Sequence, residues 1–465
     1  MSIRELFSGL NDRQRQATET TKGPVLVLAG PGSGKTKVVT SRIAYLLKQG
    51  VSPREILAIT FTKKAAEEMQ TRISQILGGT PNDINISTFH ALGFRILREN
   101  TRLAGLEPGF GIISDKARRD IASGTVNQLG DSAKPSEVLQ EISAAKSRGL
   151  SVEEFSQQDR GDSDRQAFMA DAYRRYEDEL RERNSVDLDD LILRSLRDVL
   201  QSNDSVAAEY RRRFSYIMVD EYQDTNGPQF EMTKLIVPSK RNLCVVGDDD
   251  QSIYGFRGAN VEHILNFADD FPGTRLIKLE TNYRSTGHIV GLANDVISVS
   301  QKRYPKRLAA DQGDGVPATW RVLDDEEEEQ RYVASKIAEI DDKNSVAVLF
   351  RGHATANSMR SCLQTNGIPC RTSRNPRGVH LLTLHASKGL EFQTVFMPAL
   401  EQDIMPHAYG CQNEERRLFY VGLTRAKREL FLSSCRERQE RSKEPSRFLT
   451  ELSDSGGHLQ KLNFT

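Results

Sequence analysis

Short apolar runs alternate with amphipathic stretches at the start of the chain, over residues 1 to 91. Apolar runs predict buried strands in Pro24–Leu28 and Glu55–Thr60, and a β-rich run follows at Ile84–His90. Between them, Lys37–Ala44 and Lys63–Leu77 carry their apolar residues at helical spacing. Strands that alternate with helices favour a parallel sheet with helices on both faces.

The pattern changes character between residues 92 and 207. Charged segments with apolar residues at helical spacing dominate there, as in Ala170–Arg183 and Leu188–Leu200, and β-branched runs are scarce. We therefore predict a helical subdomain at 92–207, inserted into an α/β domain made of residues 1–91 and 208–280. The strands predicted after the insertion are Ser215–Asp220, Asn242–Val246 and Arg275–Leu279.

A second α/β domain is predicted at 281–465. Within it, the acidic run Asp324–Glu329 is interpreted as the start of a helix, Glu329–Ile340, because carboxylates stabilise a helix N-terminus. The residues from Asp454 onward are expected to be frayed. The strands predicted in this domain are Ser345–Phe350, His380–Leu384, Thr394–Met397 and Glu429–Ser433.

A glycine-rich turn, Ala29–Thr36, joins the first predicted strand to the first long helix and has the spacing of a P-loop. Small residues let backbone N–H groups approach phosphate oxygens, and the helix N-terminus favours the negative charge. Lys35 is expected to bind the β- and γ-phosphates of a nucleoside triphosphate, and Thr36 to ligate Mg²⁺. The residues expected to cradle the phosphates are Gly30, Pro31, Gly32, Ser33 and Gly34.

Two further clusters follow predicted strand ends. At the first, one carboxylate can hold Mg²⁺ while its neighbour activates water, so Asp220 is assigned to the metal and Glu221 to the general base. At the second, Gln251 is placed to sense a γ-phosphate.

Aromatic residues beside an arginine follow in the same loop. Tyr254 and Phe256 are two residues apart and would point the same way in an extended segment, with Arg257 next to them. This combination suits stacking on unpaired bases, although an aromatic pair alone is more often part of a core.

The composition bears on nucleic-acid binding, on metal sites and on cellular location. Lys plus Arg equals Asp plus Glu at 64 each, so nucleic-acid binding would require a local basic patch. The five cysteines form no C-x-x-C pair, which favours a reducing compartment and argues against zinc, an iron–sulfur cluster or disulfides. With no signal sequence and no apolar run of spanning length, we predict a cytoplasmic protein without a membrane segment.

These clusters, in this order, resemble the UvrD/Rep/PcrA group of superfamily 1A DNA helicases. The resemblance implies two RecA-like P-loop NTPase domains, parallel sheets flanked by helices, with a helical subdomain inserted in the first. Besides the P-loop, the segments that carry it are Leu10–Ala17, Ile59–Ala66, Ser87–His90, Asp220–Asp224, Gly247–Gly258, Leu279–Ser285, Thr383–Phe392 and Tyr420–Lys427.

The resemblance also implies residue roles. Gln14 would read adenine, Tyr283 would stack on it and Glu391 would bind the ribose. Arg284 and Arg425 would both meet the γ-phosphate, so the nucleotide is expected between the two α/β domains, whose closing and opening would convert hydrolysis into stepping. The residues expected to contact single-stranded DNA are Phe61, Thr62, Thr88, His90, Tyr254, Phe256, Arg257 and His385.

This sequence departs from the group in two places. Phe256 stands where the family often has Trp, and the octapeptide Arg371–Gly378 spans the point at which long members carry a fourth subdomain, 2B. We expect that subdomain to be absent, and with it any closed-to-open autoinhibition of unwinding.

The expected activity is Mg²⁺-ATP-dependent 3′–5′ translocation on single-stranded DNA with duplex unwinding, acting on single strands and on single-strand/duplex junctions. The alternatives are a translocase that displaces proteins but unwinds poorly, and a nucleotide-gated DNA-binding module with little turnover. Protein partners are expected among DNA repair or replication proteins, and the isolated chain is expected to be a monomer.

Overall fold

Two six-stranded sheets organise the protein, for which we use a computed structural model. The structure describes residues 3–79, 83–130, 133–158, 161, 163–452 and 456–462. Within these residues, no helix combines the length and the apolar character needed to cross a membrane.

The chain up to residue 279 forms the first sheet and the helical insertion. Its strands are β1 (Val25–Ala29), β2 (Ile56–Thr60), β3 (Asn85–Thr88), β4 (Gly111–Ile112), β5 (Ser185–Val186), β6 (Tyr216–Val219), β7 (Leu243–Gly247) and β8 (Arg275–Leu279). Its helices are α1 (Ile3–Phe7), α2 (Asp12–Glu19), α3 (Lys35–Lys48), α4 (Lys63–Leu77), α5 (Phe89–Glu99), α6 (Asp115–Leu129), α7 (Pro135–Ser147), α8 (Val152–Ser156), α9 (Ser163–Glu182), α10 (Leu188–Arg194), α11 (Asp204–Arg213), α12 (Gly227–Ile236), α13 (Glu262–Leu265) and α14 (Phe267–Asp270).

The strand order in the first sheet is β3-β2-β6-β7-β1-β8. The pairs β3–β2, β2–β6 and β6–β7 are parallel, as the alternation of strands and helices predicts. All residues of β1, β2 and β7 are buried, which is typical of a parallel sheet covered on both faces. The predicted site residues Lys35, Asp220 and Gln251 follow the carboxyl ends of β1, β6 and β7, the edge at which open parallel sheets bind ligands.

The helical insertion has its own apolar core. Residues from α6, α7, α8 and α9 form it, including Ile142, Phe155, Tyr173 and Tyr176. The short parallel pair β4–β5 is the only strand pairing in residues 92–207 among those the structure describes. The predicted helical character of this stretch is confirmed.

The second sheet occupies the chain after residue 280 and is parallel throughout its order, β13-β12-β14-β15-β11-β18. A separate parallel pair, β9–β10, precedes it. The strands are β9 (Thr281–Thr286), β10 (Ala309–Gln312), β11 (Ala318–Leu323), β12 (Val346–Phe350), β13 (His380–Thr383), β14 (Phe392–Met397), β15 (Ala426–Cys435), β16 (Glu437–Arg438), β17 (Arg441–Ser442) and β18 (Leu459–Leu462). The helices are α15 (Gly287–Ser298), α16 (Glu326–Ala338), α17 (His353–Thr365), α18 (Gln412–Leu423) and α19 (Arg447–Thr450).

The predicted fold class, α/β with two parallel sheets flanked by helices and a helical insertion, is confirmed. Two strands of the second sheet were not predicted. β11 lies between β15 and β18, and its Trp320 is buried with its indole N–H donating to Ser434 Oγ at 3.2 Å. β18 pairs with β11 from Ala318–Leu459 onward, so the expectation of a frayed end from residue 454 is wrong for the residues described there; 454, 455 and 463–465 lie outside them.

Two other local predictions are corrected. The β-rich run Ile84–His90 ends at Thr88, whose hydroxyl caps α5 by accepting from Ala91 N at 3.2 Å, so His90 lies in a helix. The helix predicted at 188–200 changes to a π-helix over Ser195–Gln201.

The acidic run before α16 is a helix start, as predicted. The Asp325 carboxylate caps the helix by accepting from Glu328 N at 2.8 Å. The helix begins at Glu326 and ends at Ala338, earlier at both ends than predicted.

Residue contacts divide the chain into two compact units. The first compact unit contains Met1–Val27, Thr36–Gly247 and Tyr254–Ile277, and the second contains Leu28–Lys35, Asp248–Ile253 and Lys278–Thr465. The contacts thus group the P-loop and the Gln251 loop with the later part of the chain, whereas the sequence division assigned both to the earlier domain. The domain boundaries drawn from the sequence stay a prediction.

A tight turn at 371–378 connects α17 to β13. Arg371 N donates to Val379 O at 2.9 Å, and Gly378 N donates to the side-chain oxygen of Asn344 at 2.8 Å. Every residue between Thr365 and His380 is described, and this interval holds no separate subdomain.

Candidate functional site

The P-loop connects buried β1 to the N-terminus of α3. Lys35 Nζ donates to the carbonyl oxygen of Ala29 at 2.9 Å and to that of Gly30 at 3.4 Å. The Ser33 hydroxyl also donates to Gly30 O, at 2.7 Å. The loop is thus curled around its own lysine at the N-terminus of α3, the end of a helix that favours an anion.

Two glycines of the loop are required by close approach. A Cβ at Gly30 would lie 2.3 Å from Leu308 Cδ2. A Cβ at Gly32, whose φ is +67°, would lie 2.7 Å from Arg284 Cβ. The side chains that crowd the loop come from a segment more than two hundred residues later, which explains why the sequence required small residues here.

Residues of strand β9 donate hydrogen bonds to the backbone carbonyl oxygens of the P-loop. Tyr283 N donates to Gly32 O at 2.9 Å, and Asn282 Nδ2 donates to Pro31 O at 2.8 Å. Asn282 Oδ1 in turn accepts from Arg284 N at 2.8 Å. Asn282 is fully buried and was missed by the sequence analysis, although it lies inside the motif that contains Tyr283 and Arg284.

Arg284 and Glu391 form an ion pair beside the loop. Arg284 Nε donates to Glu391 Oε2 at 2.7 Å, and Lys427 Nζ lies 2.7 Å from Oε1 of the same carboxylate. Burial by itself would raise the pKa of Glu391, but Lys427 and Arg284 lower it below its usual value. Glu391 is therefore ionised and restrains the guanidinium; its role toward a ribose stays a prediction.

Arg425 is buried, with 1% of its surface exposed. Its Nε donates to Val421 O at 2.9 Å and one terminal nitrogen donates to Leu390 O at 3.1 Å. The other terminal nitrogen lies 3.4 Å from Gln251 Oε1. The structure thus brings together two residues that the sequence analysis expected at the γ-phosphate.

Gln251 is held at both its side chain and its backbone. Its Nε2 donates to Asp248 Oδ2 at 2.5 Å, and Lys388 Nζ donates to its carbonyl oxygen at 2.6 Å. Asp248 is the first of three buried aspartates, which pair with Lys306 and Arg303. The sequence analysis missed both cations. Three consecutive aspartates indicate that cations are needed nearby, but they do not indicate which lysine or arginine provides them.

The first compact unit contains the carboxylates assigned to metal and base. Asp220 follows β6, and its Oδ1 accepts from Glu221 N at 3.0 Å. Glu221 has a φ of +50°, a left-handed conformation that costs a non-glycine residue about 1 kcal/mol or more. Gln223 Nε2 donates to Glu221 Oε2 at 2.7 Å, which orients the carboxylate. A strained residue with an oriented carboxylate at a strand end is compatible with the predicted general base.

Gln14 and Thr36 also lie in the first compact unit. Gln14 is buried and forms a capping box with Asn11, because Gln14 N donates to Asn11 Oδ1 at 2.8 Å and Asn11 N donates to Gln14 Oε1 at 3.1 Å. Asn11 is therefore the cap of α2. Thr36 lies in the first turn of α3, and its hydroxyl and the Asp220 carboxylate are oxygen donors of the kind that Mg²⁺ prefers.

An aromatic patch lies on the surface of the first compact unit. The rings of Phe61 and Tyr254 are stacked, with centroids 5.7 Å apart, and Phe256 lies 6.1 Å from Tyr254. The Arg257 guanidinium lies within 5.5 Å of the ring centroids of both Tyr254 and Phe256. Phe256 is 63% exposed, so the core alternative does not apply to it.

The extended conformation that was predicted to point Tyr254 and Phe256 the same way is wrong. Residues Gly255–Arg257 form a 3-10 turn rather than an extended segment, so Tyr254 and Phe256 are tilted by 54°. Phe61 was expected at DNA by resemblance, and the tertiary structure brings it into the same patch.

The remaining residues predicted at DNA have local structural roles as well. Thr62 and Thr88 cap α4 and α5 with their hydroxyl groups. His90 lies in α5, and burial lowers its pKa, with Asp189 opposing the shift. His385 belongs to the second compact unit, in the 3-10 turn His385–Ser387.

The site has the parts that a nucleoside triphosphate needs. It combines a glycine loop that a Cβ would obstruct, a lysine at its centre and two arginines whose orientation is fixed by hydrogen bonds. These groups can bind a polyphosphate and neutralise charge that develops on it.

Comparison with known proteins covers nearly the whole chain. The family model for the UvrD/REP helicase N-terminal domain matches residues 10–272. The model for the UvrD-like helicase C-terminal domain matches in two pieces, 277–377 and 372–437. The two pieces meet within the 371–378 turn, which is where the fourth subdomain of long relatives was expected to be missing.

Curated relatives agree with the family models. The ATP-dependent DNA helicase PcrA of Leuconostoc citreum is 41% identical over 379 residues, which cover 79% of this chain and 50% of that protein. PcrA of Bacillus subtilis is 40% identical over 373 residues, with 78% and 50% covered. The ATP-dependent DNA helicase UvrD1 of Mycobacterium tuberculosis is 40% identical over 383 residues, again with 78% and 50% covered. The chain spans about half the length of these relatives, and the models that match it leave no ambiguity of family: it belongs to the UvrD/REP helicases.

Proposed function

We propose that this protein is an ATP-dependent DNA helicase that translocates 3′ to 5′ on single-stranded DNA and unwinds duplexes at single-strand/duplex junctions. The observation that carries the proposal is the assembly, within one compact unit, of the P-loop with Arg284 and of Gln251 with Arg425. Such an arrangement serves hydrolysis of a nucleoside triphosphate rather than binding alone.

In this proposal each residue acts on a different part of ATP. Lys35 binds the β- and γ-phosphates, while Arg284 and Arg425 neutralise the charge that develops on the γ-phosphate. Gln251 senses that phosphate and Glu221 accepts a proton from the attacking water. The nucleoside contacts proposed from the family pattern are Gln14 and Tyr283 at adenine and Glu391 at the ribose.

Magnesium is part of the proposal. Thr36 and Asp220 would hold the ion, which when bound neutralises phosphate charge. The oxygen-only donor set fits this metal better than it fits zinc.

The aromatic patch supports single-stranded nucleic acid as the second substrate. Exposed rings beside an arginine bind bases by stacking, which is independent of sequence. The remaining residues proposed at DNA are Thr62, Thr88, His90 and His385. Deoxyribose over ribose is proposed from the family pattern, and ATPase stimulation by matched DNA and RNA oligonucleotides tests it: equal stimulation would contradict the preference.

Lys35→Ala tests the nucleotide site. We expect DNA-stimulated ATP hydrolysis to fall by about a hundredfold or more, since the central charge of the loop is lost. Lys37→Ala is the matched control, because Lys37 is exposed and lies two residues after Lys35 in α3. This substitution should leave turnover within about twofold of the parent. Turnover by Lys35→Ala equal to that of the parent would reject the site.

The alternative of a translocase that unwinds poorly is favoured by the short turn at 371–378. A tailed-duplex assay under single-turnover conditions separates the two: efficient strand separation by monomers rejects the alternative. Failure to unwind, with displacement of a protein bound to single-stranded DNA, would support it instead.

A nucleotide-gated binding module is the least supported alternative. The arginines could serve binding alone, but an oriented carboxylate such as that of Glu221 is what hydrolysis needs in addition. Phosphate release stimulated by an oligonucleotide would exclude a pure binding module. A cytoplasmic setting, a monomeric state and partners among DNA repair or replication proteins remain predictions.

A further inference from the structure

Three consecutive aspartates, Asp248–Asp250, follow β7, and each is fully buried. Buried carboxylates are stable as anions only when cations or hydrogen-bond donors face them. The three carboxylates lie close enough together to surround one cation. The proposed function uses none of them directly, so their presence beside Gln251 requires a separate explanation.

The cation that they surround is the ammonium group of Lys306. Its Nζ lies 3.0 Å from Asp248 Oδ1, 2.5 Å from Asp249 Oδ1 and 2.6 Å from Asp250 Oδ2. Arg303 adds a second cation, with Nε 2.8 Å from one oxygen of Asp250 and a terminal nitrogen 2.7 Å from the other. Burial would raise the pKa of Asp248, but the charges of Lys306 and Lys35 lower it.

Asp248 connects this cluster to the residues expected at the γ-phosphate. One of its oxygens contacts Lys306 Nζ, and the other accepts from Gln251 Nε2 at 2.5 Å. Gln251 Oε1 then faces a terminal nitrogen of Arg425 at 3.4 Å. A continuous chain of polar contacts therefore runs from Lys306 through Asp248 and Gln251 to Arg425.

The segment that carries Lys306 also contacts the P-loop. Leu308 lies against Gly30, as the 2.3 Å approach to a Cβ at that position demonstrates. The backbone of Leu308 is fixed on both sides by Asn294, whose Nδ2 donates to Leu308 O at 2.9 Å and whose Oδ1 accepts from Leu308 N at 3.0 Å. The segment 303–308 thus touches both loops that bind phosphate in the proposed function.

We propose that Lys306 is a positioning residue for ATP hydrolysis: it fixes Asp248, and through Asp248 it holds Gln251 against Arg425. The inference rests on the proposed ATPase activity and goes beyond it, because Lys306 lies in no segment that carries the family resemblance. The Lys306 side chain is 1% exposed and surrounded by carboxylates, so it acts through Asp248 rather than on ATP.

The test needs a variant that folds without Lys306. Lys306→Met alone leaves buried carboxylates with one cation fewer, which is strongly destabilising. Lys306→Met/Asp249→Asn removes one positive and one negative charge together, and the asparagine oxygen can still accept from Tyr304 N, as Asp249 Oδ2 does at 2.8 Å. This charge-matched variant is the one to assay, with Lys306→Met beside it.

A matched control exists in the same compact unit. Arg438 is buried against Glu329 and Glu401, away from the phosphate-binding loops in sequence and in contacts. Arg438→Met/Glu329→Gln removes one charge of each sign from that cluster. It should lower the melting temperature as the charge-matched Lys306 variant does, but leave kcat within about twofold.

Steady-state ATPase with saturating oligothymidylate provides the first readout. We expect the charge-matched Lys306 variant to lose about tenfold or more in kcat, with KM for ATP changed less than about threefold, because Gln251 acts on the reacting phosphate and not on overall affinity. A double-mutant cycle with Gln251→Ala provides the second. If Lys306 acts through Gln251, its substitution adds less than about twofold to the loss already caused by Gln251→Ala.

Each outcome decides the inference. A parent-like kcat in the charge-matched variant, or losses that multiply in the Gln251→Ala background, would overturn it. A parent chain without any DNA-stimulated hydrolysis would instead reject the proposed function itself, so the two failures are distinguishable. Loss of kcat together with non-additivity supports the positioning role.

Discussion

Some residues at the site are both charged and buried, and Arg425 is the clearest case. Without its motif, an arginine near the end of a helix would be interpreted as solvated, yet Arg425 is buried. Its guanidinium is oriented by the carbonyl oxygens of Val421 and Leu390, which accept from Nε and from one terminal nitrogen. Carbonyl oxygens carry no formal charge, so these two contacts fix the direction of the guanidinium without forming an ion pair with it.

Glu391 is also oriented by its contacts, but its partners are cations. Two cations, Arg284 and Lys427, contact its two oxygens. The lowered pKa of Glu391 means that this restraint on Arg284 is present above the usual carboxyl pKa and is lost only as the pH falls through the lowered value. The ion pair therefore orients Arg284 throughout the neutral pH range.

Phe256 provides the prediction at this scale. Phe256→Ala should weaken binding of oligothymidylate by about 1–3 kcal/mol, which is about fivefold to 150-fold in Kd, because a stacking surface is lost. Phe256→Trp should bind as well as the parent or more tightly, since tryptophan has the larger π-face. Fluorescence anisotropy with a labelled oligonucleotide in the absence of nucleotide measures both.

The control for this prediction is another exposed apolar residue. Val316 is 54% exposed and lies outside the aromatic patch, so Val316→Ala should leave Kd unchanged. An unchanged Kd for Phe256→Ala would remove the patch from the DNA-binding surface.

Among the elements, the helical insertion has a polar centre. Lys146 of α7 is fully buried, and its Nζ lies 2.6 Å from Glu177 Oε1, 2.7 Å from Asp190 Oδ1 and 3.1 Å from Asp187 Oδ2. The ammonium group thereby joins α7 to α9 and to the start of α10. The Asp187 carboxylate also accepts from the Tyr176 hydroxyl at 3.0 Å and from Asp190 N at 2.8 Å.

The same helix contacts the aromatic loop. A Cβ at Gly258 would lie 2.5 Å from the Ser147 hydroxyl oxygen, one residue after Lys146. Movement of α7 would therefore be felt at the loop that carries Phe256 and Arg257. The insertion supports the loop expected to bind bases.

Lys146→Met is the prediction at the scale of elements. Removing the cation leaves buried carboxylates uncompensated, which should lower the free energy of unfolding of this region by about 3–5 kcal/mol. Urea unfolding followed by circular dichroism measures the change, and limited proteolysis locates it between residues 89 and 213.

The matched control is a surface ion pair on the neighbouring helix. Arg174 Nη1 lies 2.6 Å from Asp171 Oδ1 in α9, and both side chains are more than half exposed. Arg174→Met should change the free energy of unfolding by less than about 0.5 kcal/mol. Equal effects of the two substitutions would contradict a structural role for the Lys146 cluster.

Element prediction succeeded where the signal is local and failed where it is not. Helix α4 begins and ends where the periodicity of Lys63–Leu77 predicts. Strand β11 was not predicted, although buried and partly exposed residues alternate over Ala318–Arg321. Strand β18 has no apolar run and exists only because β11 offers it an edge to pair with.

At the scale of the whole molecule, the second sheet is complete without an inserted subdomain. The turn at 371–378 is fixed beside the second sheet: Arg371 N donates to the carbonyl oxygen of Val379, just before β13, and Gly378 N donates to Asn344, just before β12. The chain therefore passes from α17 to β13 without a domain whose rotation could open and close a DNA-binding cleft.

The prediction at this scale concerns regulation. Unwinding of a tailed duplex should show no activation by self-association, because residues 366–379, all of which are described, hold no subdomain that would have to be displaced. Single-turnover unwinding rates measured over a range of protein concentration, all in excess over DNA, should reach a plateau when binding is saturated. A further steep rise beyond saturation, or strong stimulation on adding a catalytically dead Lys35→Ala copy, would contradict this.

Local sequence determined the P-loop, the strand ends that carry Asp220 and Gln251, and helices such as α3 and α4, because backbone hydrogen bonding and side-chain periodicity act over short stretches of chain. The tertiary structure alone decided that Lys306 neutralises three aspartates and that Phe61 stacks on Tyr254. It also decided the burial of Arg425 and the pairing of β18. These contacts join residues far apart in the chain, and no local pattern states which of many lysines or edges will meet a given partner.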